Sequence, residues 1–543
     1  MHPAARVALA LITIIIALIV YSAPVGDEYS DPSCSLVVSQ SILENGTIKI
    51  DTYKYLHEAT LSCAREYNGH YYDYFPLGTP VLSLPVVMAA RSMGFDMTDP
   101  GDNASLQILM VTFIVPGIFL IIFFIGRLYV SAWVSLVISL VSVLGSSLVS
   151  TLGTALWSHC FATLLNAFVL LVIVRHDEGK KVANPYLLGT LLFLSYLTRP
   201  TASMFILMVF AYFFFKNRWV FIRTAAVSFF LLLCFVAFSY YEYSQVLPPY
   251  YLGRLNSQTP FLTALYGLLL SPARGLFIFS PFLIVVTGLA VYLRRVIMKN
   301  TLLLLLVLWS AAHVLMVTQF APWWAGWSFG ARILTDSLPA WILISFILWR
   351  ELMSVTGDAW KFRAVAATYL ALGLIAVFIN IGQGLYNPWI QTWNGCIEYF
   401  ERPEDALFSW ELPQVLATSE SVTEFCNKAL NDKDRYFVTV KVGHEVPGNS
   451  KYDLYILLRN PKSCQELNTR ALAYLKLGHL DKTMEDLERA LSTFPDCAHT
   501  YETRGTVLLR SFMDRTGCRD LEKACDLGSC DNYLDIKREG YCN

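Results

Sequence analysis

Long apolar segments recur along most of this sequence. A helix needs about 20 consecutive apolar residues to cross a bilayer. Only 15% of the residues are charged, against about 25% in soluble domains. We therefore predict a polytopic α-helical membrane protein with about eleven transmembrane helices. The candidate spans lie near residues 6–24, 106–126, 129–149, 156–174, 185–198, 201–215, 219–240, 275–293, 301–318, 333–349 and 364–384.

The loop charges predict which side of the membrane each loop occupies. Lysine and arginine concentrate in cytoplasmic loops, and the basic loops fall on one side if the amino terminus is cytoplasmic. The first span lacks a cleavage pattern and is interpreted as a retained helix. This topology puts residues 25–105, 241–274, 319–332 and everything after about 385 outside the cytoplasm. The loops that decide it carry Arg6, Arg175, Lys180, Lys181, Lys216, Arg218, Arg223, Arg294, Arg295, Lys299, Arg350, Lys361 and Arg363.

Cysteine placement agrees with that topology. Of the 12 cysteines, only Cys160 and Cys234 fall inside predicted spans. The others lie in segments assigned to the outside, where disulfides persist. A pairing such as Cys34 with Cys63 fits, although connectivity cannot be deduced from sequence. A zinc site at Cys518, Cys525 and Cys530 has the wrong spacing and no nearby histidine.

The chain divides into three predicted units. Residues 1–385 form the membrane body with its 25–105 loop, 386–463 form an α/β-like segment with strand-like stretches at 436–442 and 452–458, and 464–543 are helical. In the last unit EDLERAL at 485–491 recurs as RDLEKAC at 519–525, and Arg470 recurs as Arg504. That 34-residue offset resembles tetratricopeptide (TPR) repeats. A pair of generic helical hairpins is the alternative.

The first loop holds the densest polar pattern. GDEYSDP places Asp27 and Glu28 at the end of the first span, where charges are costly unless solvated or functional. SCSLVVSQSILENG then predicts an interfacial amphipathic helix that ends at Asn45-Gly46. GHYYDYFPLGTPVLSLP at 69–85 predicts an ordered re-entrant loop.

This order of features resembles the first extracytoplasmic loop of GT-C glycosyltransferases, and is nearest in pattern to protein O-mannosyltransferases and lipid A aminoarabinose transferases. The resemblance covers about residues 1–385. It also draws on SHCFATLLNAF in the fourth span, on Thr198-Arg199-Pro200, on SPARGLFIFSP at 271–281 and on WWAGWSFGAR at 323–332.

The resemblance implies inverting transfer of a sugar from a polyprenyl phosphate to an acceptor hydroxyl outside the cytoplasm. Asp27 matches the acidic residue that acts as general base, and Glu28 could share that role. A carboxylate in reach of a weakly nucleophilic hydroxyl can take its proton as the bond forms. Asp73 is a more distant rival. Capping of the interfacial helix is the purely structural interpretation of Asp27.

The leaving lipid phosphate calls for fixed cations at the outer surface. Arg199, Arg274 and Arg332 lie at the outer ends of predicted spans, on the side opposite to the positive-inside arginines; snorkelling to headgroups is their alternative role. His159 is a candidate catalytic residue or phosphate contact, with a packing residue as the alternative. Candidate contacts to the sugar or the isoprenoid, which an aromatic belt would explain equally well, are Tyr74, Trp323, Trp324 and Trp327.

Other functions are less favoured by the sequence. The net charge of −1 offers no basic surface for nucleic acid. A transporter would carry ionisable residues across its midplane. An O-antigen ligase-like transferase would carry its large loop late in the chain, and a non-enzymatic assembly factor would not need Asp27. The TPR-like tail predicts a protein partner or acceptor, a divalent metal stays open, and the layout favours a bacterial inner membrane.

Overall fold

The computed structural model describes residues 2–23, 31–53, 63–252, 258–355, 359–397, 400, 402–430, 435–440, 454–459, 463–476, 480–512, 514–538 and 542. The chain forms two compact units. The first comprises residues 1–394 and 404–417, and the second comprises 395–403 and 418–543.

The first unit is built of helices that run from the amino terminus to the 390s. Those of eight or more residues are α1 Pro3–Tyr21, α2 Asp31–Asn45, α3 Gly78–Ser92, α4 Pro100–Gly126, α5 Ala132–Leu144, α6 Ser158–Asp177, α7 Pro185–Thr198, α8 Ala202–Lys216, α9 Arg218–Tyr243, α10 Phe261–Leu270, α11 Phe282–Tyr292, α12 Thr301–Val317, α13 Leu338–Val355, α14 Ala359–Val377 and α15 Trp389–Ile397. A 3-10 helix, Arg332–Ser337, leads into α13, and a π-helix, Phe378–Leu385, continues α14.

Several of these helices begin where the sequence supplies a cap. Asn184 accepts from the backbone amides of Tyr186 and Leu187 at the start of α7, and Pro185 occupies the first helical position. At the start of α4, the Asp99 side chain likewise accepts from the backbone amide of Asp102, and Pro100 is the first helical residue. A side-chain acceptor followed by proline satisfies free amides and fixes φ for the first turn.

The helical membrane character predicted from the sequence is present. Within the described residues, six helices are long and apolar enough to cross a membrane: Pro3–Tyr21, Pro100–Gly126, Ser158–Asp177, Arg218–Tyr243, Arg332–Val355 and Ala359–Leu385. Helices lie at the other predicted span positions too, but they are shorter. The span predicted near 275–293 breaks at Ser280-Pro281 into Leu276–Phe279 and Phe282–Tyr292, because a residue before proline is disfavoured in the helical region.

The first loop differs from its prediction in two respects. α2 ends at Asn45, as predicted, and Gly46 adopts φ 65°. However, Cys34, Val37 and Ser41 are all buried, so α2 lies inside the protein instead of floating at the interface. The predicted re-entrant loop is instead the end of a β-hairpin, β1 Ala64–Tyr67 with β2 His70–Asp73, followed by the first half of α3.

A disulfide joins α2 to this hairpin. Cys34 and Cys63 are bonded, and both are fully buried. Cys63 directly precedes β1. The pair belongs to an apolar cluster with Val38, Ile50 and Tyr72, among others. The disulfide therefore fixes the start of the hairpin against the middle of the buried helix α2.

The second unit contains the carboxy-terminal helices. They are α16 Ser419–Leu430, α17 Cys464–Lys476, α18 Leu480–Thr493, α19 Ala498–Ser511, α20 Gly517–Asp526 and α21 Asp531–Arg538. Two antiparallel strands, β3 Arg435–Val440 and β4 Leu454–Arg459, confirm the strand-like stretches. Helices α17 and α18 pack as one hairpin, and α19 and α20 pack as a second.

The remaining cysteines outside the predicted spans are paired in this second unit. The disulfides join Cys396 with Cys426, Cys464 with Cys497, Cys518 with Cys542, and Cys525 with Cys530. Cys160 and Cys234 are free thiols. The predicted division between thiols in spans and disulfides outside them is thus present.

Candidate functional site

The amino terminus of α6 is held by a carboxylate from the first loop. Asp31 Oδ2 accepts hydrogen bonds from the Ser158 backbone nitrogen at 2.9 Å and from Ser158 Oγ at 2.6 Å. Asp31 is the first residue of α2 and is 4% exposed. Because free amides at a helix start favour a negative charge, this contact stabilises the seating of α2 on α6.

Arg199 lies where α7 ends, and it is buried. Its Nε donates to Asp336 Oδ2 at 2.7 Å and its Nη1 donates to Ser158 Oγ at 2.9 Å. Thr201 Oγ1 donates to the same Asp336 oxygen at 3.0 Å. Burying an ion pair costs desolvation free energy, and only close geometry with additional hydrogen bonds offsets that cost.

Asp336 is the junction of the site. Its Oδ1 lies 2.7 Å from Nδ1 of His159, while its Oδ2 receives Arg199 and Thr201. The Asp336 backbone carbonyl also accepts from Asn166 Nδ2 at 3.3 Å. We call this set the Asp336 network: Asp31, Ser158, His159, Arg199, Thr201 and Asp336.

The first loop packs on the same end of the helices. An added Cβ at Gly78 would lie 2.3 Å from the Thr198 Cα, so the start of α3 meets the backbone next to Arg199. Tyr251 Oη donates to the Leu197 carbonyl at 2.9 Å. These contacts bring the first loop and the 249–252 helix to the carboxyl end of α7.

Aromatic rings form a wall beside these contacts. The ring of Tyr74 lies 5.4 Å from that of Tyr250 and 5.6 Å from that of Phe75. The guanidinium of Arg65 stacks over Tyr74, 3.9 Å from the ring centre. Tyr74 is therefore part of an aromatic group whose member Tyr250 lies within electrostatic range of Arg199 in the Asp336 network.

Asp73, at the end of β2, is a buried carboxyl group. Its Oδ1 accepts from the Phe75 amide at 3.0 Å, whereas its Oδ2 is enclosed and has no hydrogen-bond partner in the part of the chain that the structure describes. Burial raises the pKa of Asp73 well above its ordinary value, against the lowering effect of the Phe75 bond, and the charge of Asp31 raises it further. Burial therefore favours the protonated form of Asp73.

Arg274 is anchored elsewhere in the first unit. Its guanidinium donates to the carbonyls of Trp324 and Gly326, and to the side chains of Asn394 and Gln414 at 2.9 Å each. Those bonds fasten the loop that follows α12. Arg274 thus binds backbone and amide oxygens, and none of these hydrogen bonds reaches a residue of the Asp336 network.

The tryptophans of the 323–327 segment have different environments. Trp323 is fully buried, stacked on Phe408 with ring centres 5.9 Å apart and pressed against Gly267. Trp324 packs edge-on against Trp323 and gives its carbonyl to Arg274. Trp327 is 40% exposed, so it retains an open face for a ligand or lipid.

Arg332 lies nearer to the network than Arg274 does. Its guanidinium stacks over Trp157, 4.3 Å from the ring centre, and Nη2 donates to the Ala325 carbonyl at 2.6 Å. Trp157 immediately precedes Ser158 in the chain. The cation is therefore held beside the amino terminus of α6 by a ring and a carbonyl.

The two acidic residues that the sequence places first, Asp27 and Glu28, lie outside the described residues. They precede Asp31 by four and three positions in the chain. Within the described ranges, no group of three or more histidine, cysteine, aspartate or glutamate side chains could hold a metal ion.

Sequence reasoning missed Asp336, Asp31 and Ser158 as site residues. Asp336 falls within the predicted span 333–349, and an ionisable residue at that depth is itself a functional signal. Asp31 lies in the GDEYSDP segment, but Asp27 is closer to the end of the first predicted span. The residues that the Asp31 and Asp336 carboxylates bind lie more than a hundred positions away in the chain, so no local pattern reveals them.

No family model, no curated protein and no solved structure matches this chain.

Proposed function

We propose that the protein is a GT-C type glycosyltransferase, which moves a sugar from a polyprenyl phosphate to an acceptor hydroxyl on the outer side of the membrane. The observation that supports this most is the Asp336 network, in which four ionisable side chains are buried together: Asp31, His159, Arg199 and Asp336. Buried charges at the ends of apolar helices are costly, and they usually mark a functional site.

Arg199 is the first candidate to bind the donor phosphate. Two of its nitrogens are used by Asp336 and Ser158, but Nη2 makes no hydrogen bond to any residue in the described ranges. A guanidinium fixed in this way loses little side-chain entropy when it donates to a phosphate oxygen. Arg332, held over Trp157, would add a second positive charge.

Asp27 is our candidate for the general base, with Glu28 beside it in the sequence. The acceptor oxygen forms a bond to the anomeric carbon as Asp27 takes its proton, and the lipid phosphate leaves on the opposite face with the bonding electrons. This gives inversion. The seating of Asp31 on Ser158 supports the placement, since the acidic pair precedes Asp31 by only a few residues.

The finer topology belongs to this proposal. We propose eleven spans, with shorter helices such as α5 and α11 crossing together with their flanking turns, a cytoplasmic amino terminus and a bacterial inner membrane. The disulfides at Cys34–Cys63 and in the second unit support an oxidising outer face. The paired hairpins α17–α18 and α19–α20 support a TPR-like tail that binds a protein partner or acceptor.

The test is donor consumption by the full-length protein in nanodiscs. A panel of isoprenyl-phosphate hexoses and pentoses is supplied, and release of isoprenyl phosphate is followed by mass spectrometry. We expect one donor to be consumed by wild type, no turnover by Asp27→Asn, and turnover that persists at reduced rate in Glu28→Gln.

Each contrary result removes a distinct part of the proposal. If wild type consumes no member of the panel with membrane extract as the acceptor source, the glycosyltransferase function is wrong. Wild-type turnover by Asp27→Asn would instead remove only the base. Gly288→Ala serves as a control variant, because nothing lies within 4 Å of the position of the added methyl group.

A further inference from the structure

His159 is held in one orientation by Asp336. Its Nδ1 lies 2.7 Å from Asp336 Oδ1, and both side chains are almost fully buried. Because a carboxylate can only accept, Nδ1 carries the hydrogen of this bond. The carboxylate is itself fixed by Arg199 and Thr201, so the ring cannot turn without breaking that arrangement.

The other ring nitrogen is available. Nε2 of His159 makes no hydrogen bond to any residue in the described part of the chain. A second histidine near Asp336, His313, differs in that its Nδ1 is enclosed and has no hydrogen-bond partner among the described residues. An imidazole fixed through Nδ1 with Nε2 available is the arrangement in which histidine transfers protons.

The charges around His159 come from four elements. Asp336 and Arg332 lie on the 3-10 helix, Arg199 follows α7, and Asp31 reaches the neighbouring Ser158 from α2. His313 on α12 faces Asp336 as well. Two arginines thus balance two aspartates, and an arriving phosphate adds negative charge that favours the imidazolium form.

We propose that His159 is a catalytic residue, the general acid that protonates the departing lipid phosphate, and that Asp336 is its positioning residue. This inference rests on the proposed function. As the bond between the anomeric carbon and the phosphate oxygen breaks, its electrons stay on the phosphate. With the phosphodiester bound, His159 is protonated on both ring nitrogens, and it returns to the neutral imidazole when its Nε2 proton passes to a phosphate oxygen. The Nδ1 hydrogen stays in its hydrogen bond to Asp336, and the acceptor's proton goes to Asp27.

Proton chemistry gives histidine a role here that the arginines cannot fill. A departing phosphate monoester gains a second negative charge whose pKa is about 6, so it can accept a proton near neutral pH. Arginine stabilises that charge but does not release a proton in proteins. Asp336, at 2.7 Å from Nδ1, stabilises the imidazolium before transfer.

Two substitutions separate proton transfer from packing and from simple phosphate contact. His159→Asn keeps a donor that can reach Asp336 but removes Nε2. His159→Gln puts an amide donor near the Nε2 position, so it can still contact a phosphate oxygen without giving up a proton. For both variants, kcat is measured with the donor identified above, and Kd is measured with undecaprenyl phosphate alone.

A general acid accounts for about 10²–10⁴-fold of a rate. We therefore expect kcat to fall at least about 100-fold in both variants, while the Kd for undecaprenyl phosphate stays within about threefold in His159→Gln. The kcat of wild type should fall as the pH rises above the pKa of the bound imidazolium, and the residual rate of His159→Gln should lack that alkaline decline.

Near wild-type kcat in His159→Gln would overturn the inference, because it would reduce His159 to a phosphate contact. Near wild-type kcat in His159→Asn would reduce it to packing. An alkaline decline that survives in His159→Gln would assign the proton to another group. A wild-type protein that consumes no donor overturns the proposed function, and the general acid with it, so the two failures are distinguishable.

Discussion

A single carboxylate oxygen of Asp31 accepts both the backbone amide and the hydroxyl of Ser158, at 2.9 and 2.6 Å. The same hydroxyl accepts from Arg199 Nη1 at 2.9 Å. The first loop is therefore linked to the buried arginine through one serine. Loss of the Asp31 carboxylate would leave two buried donors without an acceptor.

We expect Asp31→Ala to destabilise the protein by about 1–3 kcal/mol, the usual cost of buried donors left unsatisfied. The measurement is the midpoint of thermal unfolding of the detergent-solubilised protein, followed by intrinsic fluorescence. Asp99→Ala is the matched control, since Asp99 also caps a helix start but is exposed. Equal shifts for the two variants would show that burial of the Asp31 contact is unimportant.

The close approach of α3 to α7 leads to a second prediction. A methyl group at Gly78 would lie 2.3 Å from the Thr198 Cα and 2.4 Å from its backbone nitrogen. Backbone atoms cannot move aside as a flexible side chain would, so Gly78→Ala must push the first loop off α7. Overpacking of this kind costs about 1–3 kcal/mol.

The measurement for Gly78→Ala is again the thermal midpoint, compared with Gly288→Ala. Gly288 lies in α11 and has nothing within 4 Å of its added Cβ, so alanine there should leave stability unchanged or raise it slightly. We expect donor turnover to fall only in Gly78→Ala. A Gly78→Ala protein as stable and active as wild type would contradict the close contact.

The sequence predicted the parts of the site that are local, and not those that depend on folding. The Thr198-Arg199-Pro200 segment indicates an arginine at a helix end because a cation and a proline follow an apolar run, and Arg199 does lie where α7 ends. Asp336, its partner, is separated from Arg199 by 137 positions. An isolated aspartate in an apolar segment signals importance, but the residue it pairs with is decided only by how α6, α7 and α13 pack.

Asp73 predicts a pH dependence of stability. Its pKa is raised in the folded protein, by burial first and by the charge of Asp31, above the value of about 3.9 expected in the unfolded chain. Above pH 4 the folded state therefore binds more protons than the unfolded state. The free energy of unfolding consequently decreases as the pH rises through that window.

Asp73→Asn removes this titration while it keeps an acceptor for the Phe75 amide. We expect the thermal midpoint of Asp73→Asn, relative to wild type, to rise as the pH increases above about 4. Asp51→Asn, a change at a part-exposed carboxylate that bonds His70, controls for removal of a loop charge. A difference between Asp73→Asn and wild type that is constant with pH would contradict the protonated state of Asp73.

The tail shows what internal repetition can predict. The recurrence of Arg470 as Arg504 is visible in the sequence, and each arginine meets an aspartate 16 residues further on. Asp486 and Asp520 occupy matching places in EDLERAL and RDLEKAC. Repetition therefore indicates equivalent positions, whereas the disulfide partners of α17–α21 break the repeat and could not be read from it.

The repeated ion pairs allow a last prediction. Arg504 Nε and Nη2 donate to Asp520 Oδ2 and Oδ1 at 2.6 and 2.8 Å, with both side chains mostly buried. Two parallel bonds of this kind couple residues by about 0.5–3 kcal/mol. We expect Arg504→Met and Asp520→Asn each to speed amide hydrogen exchange in α19 and α20 of the full-length protein. In the double variant the effect should be smaller than the sum of the two, because the second change no longer leaves a charge unpaired. Glu522→Gln changes an exposed side chain on α20 and serves as the control, so amide hydrogen exchange should stay unaltered in it. Strictly additive effects of Arg504→Met and Asp520→Asn would show that the bidentate contact does not hold the second hairpin together.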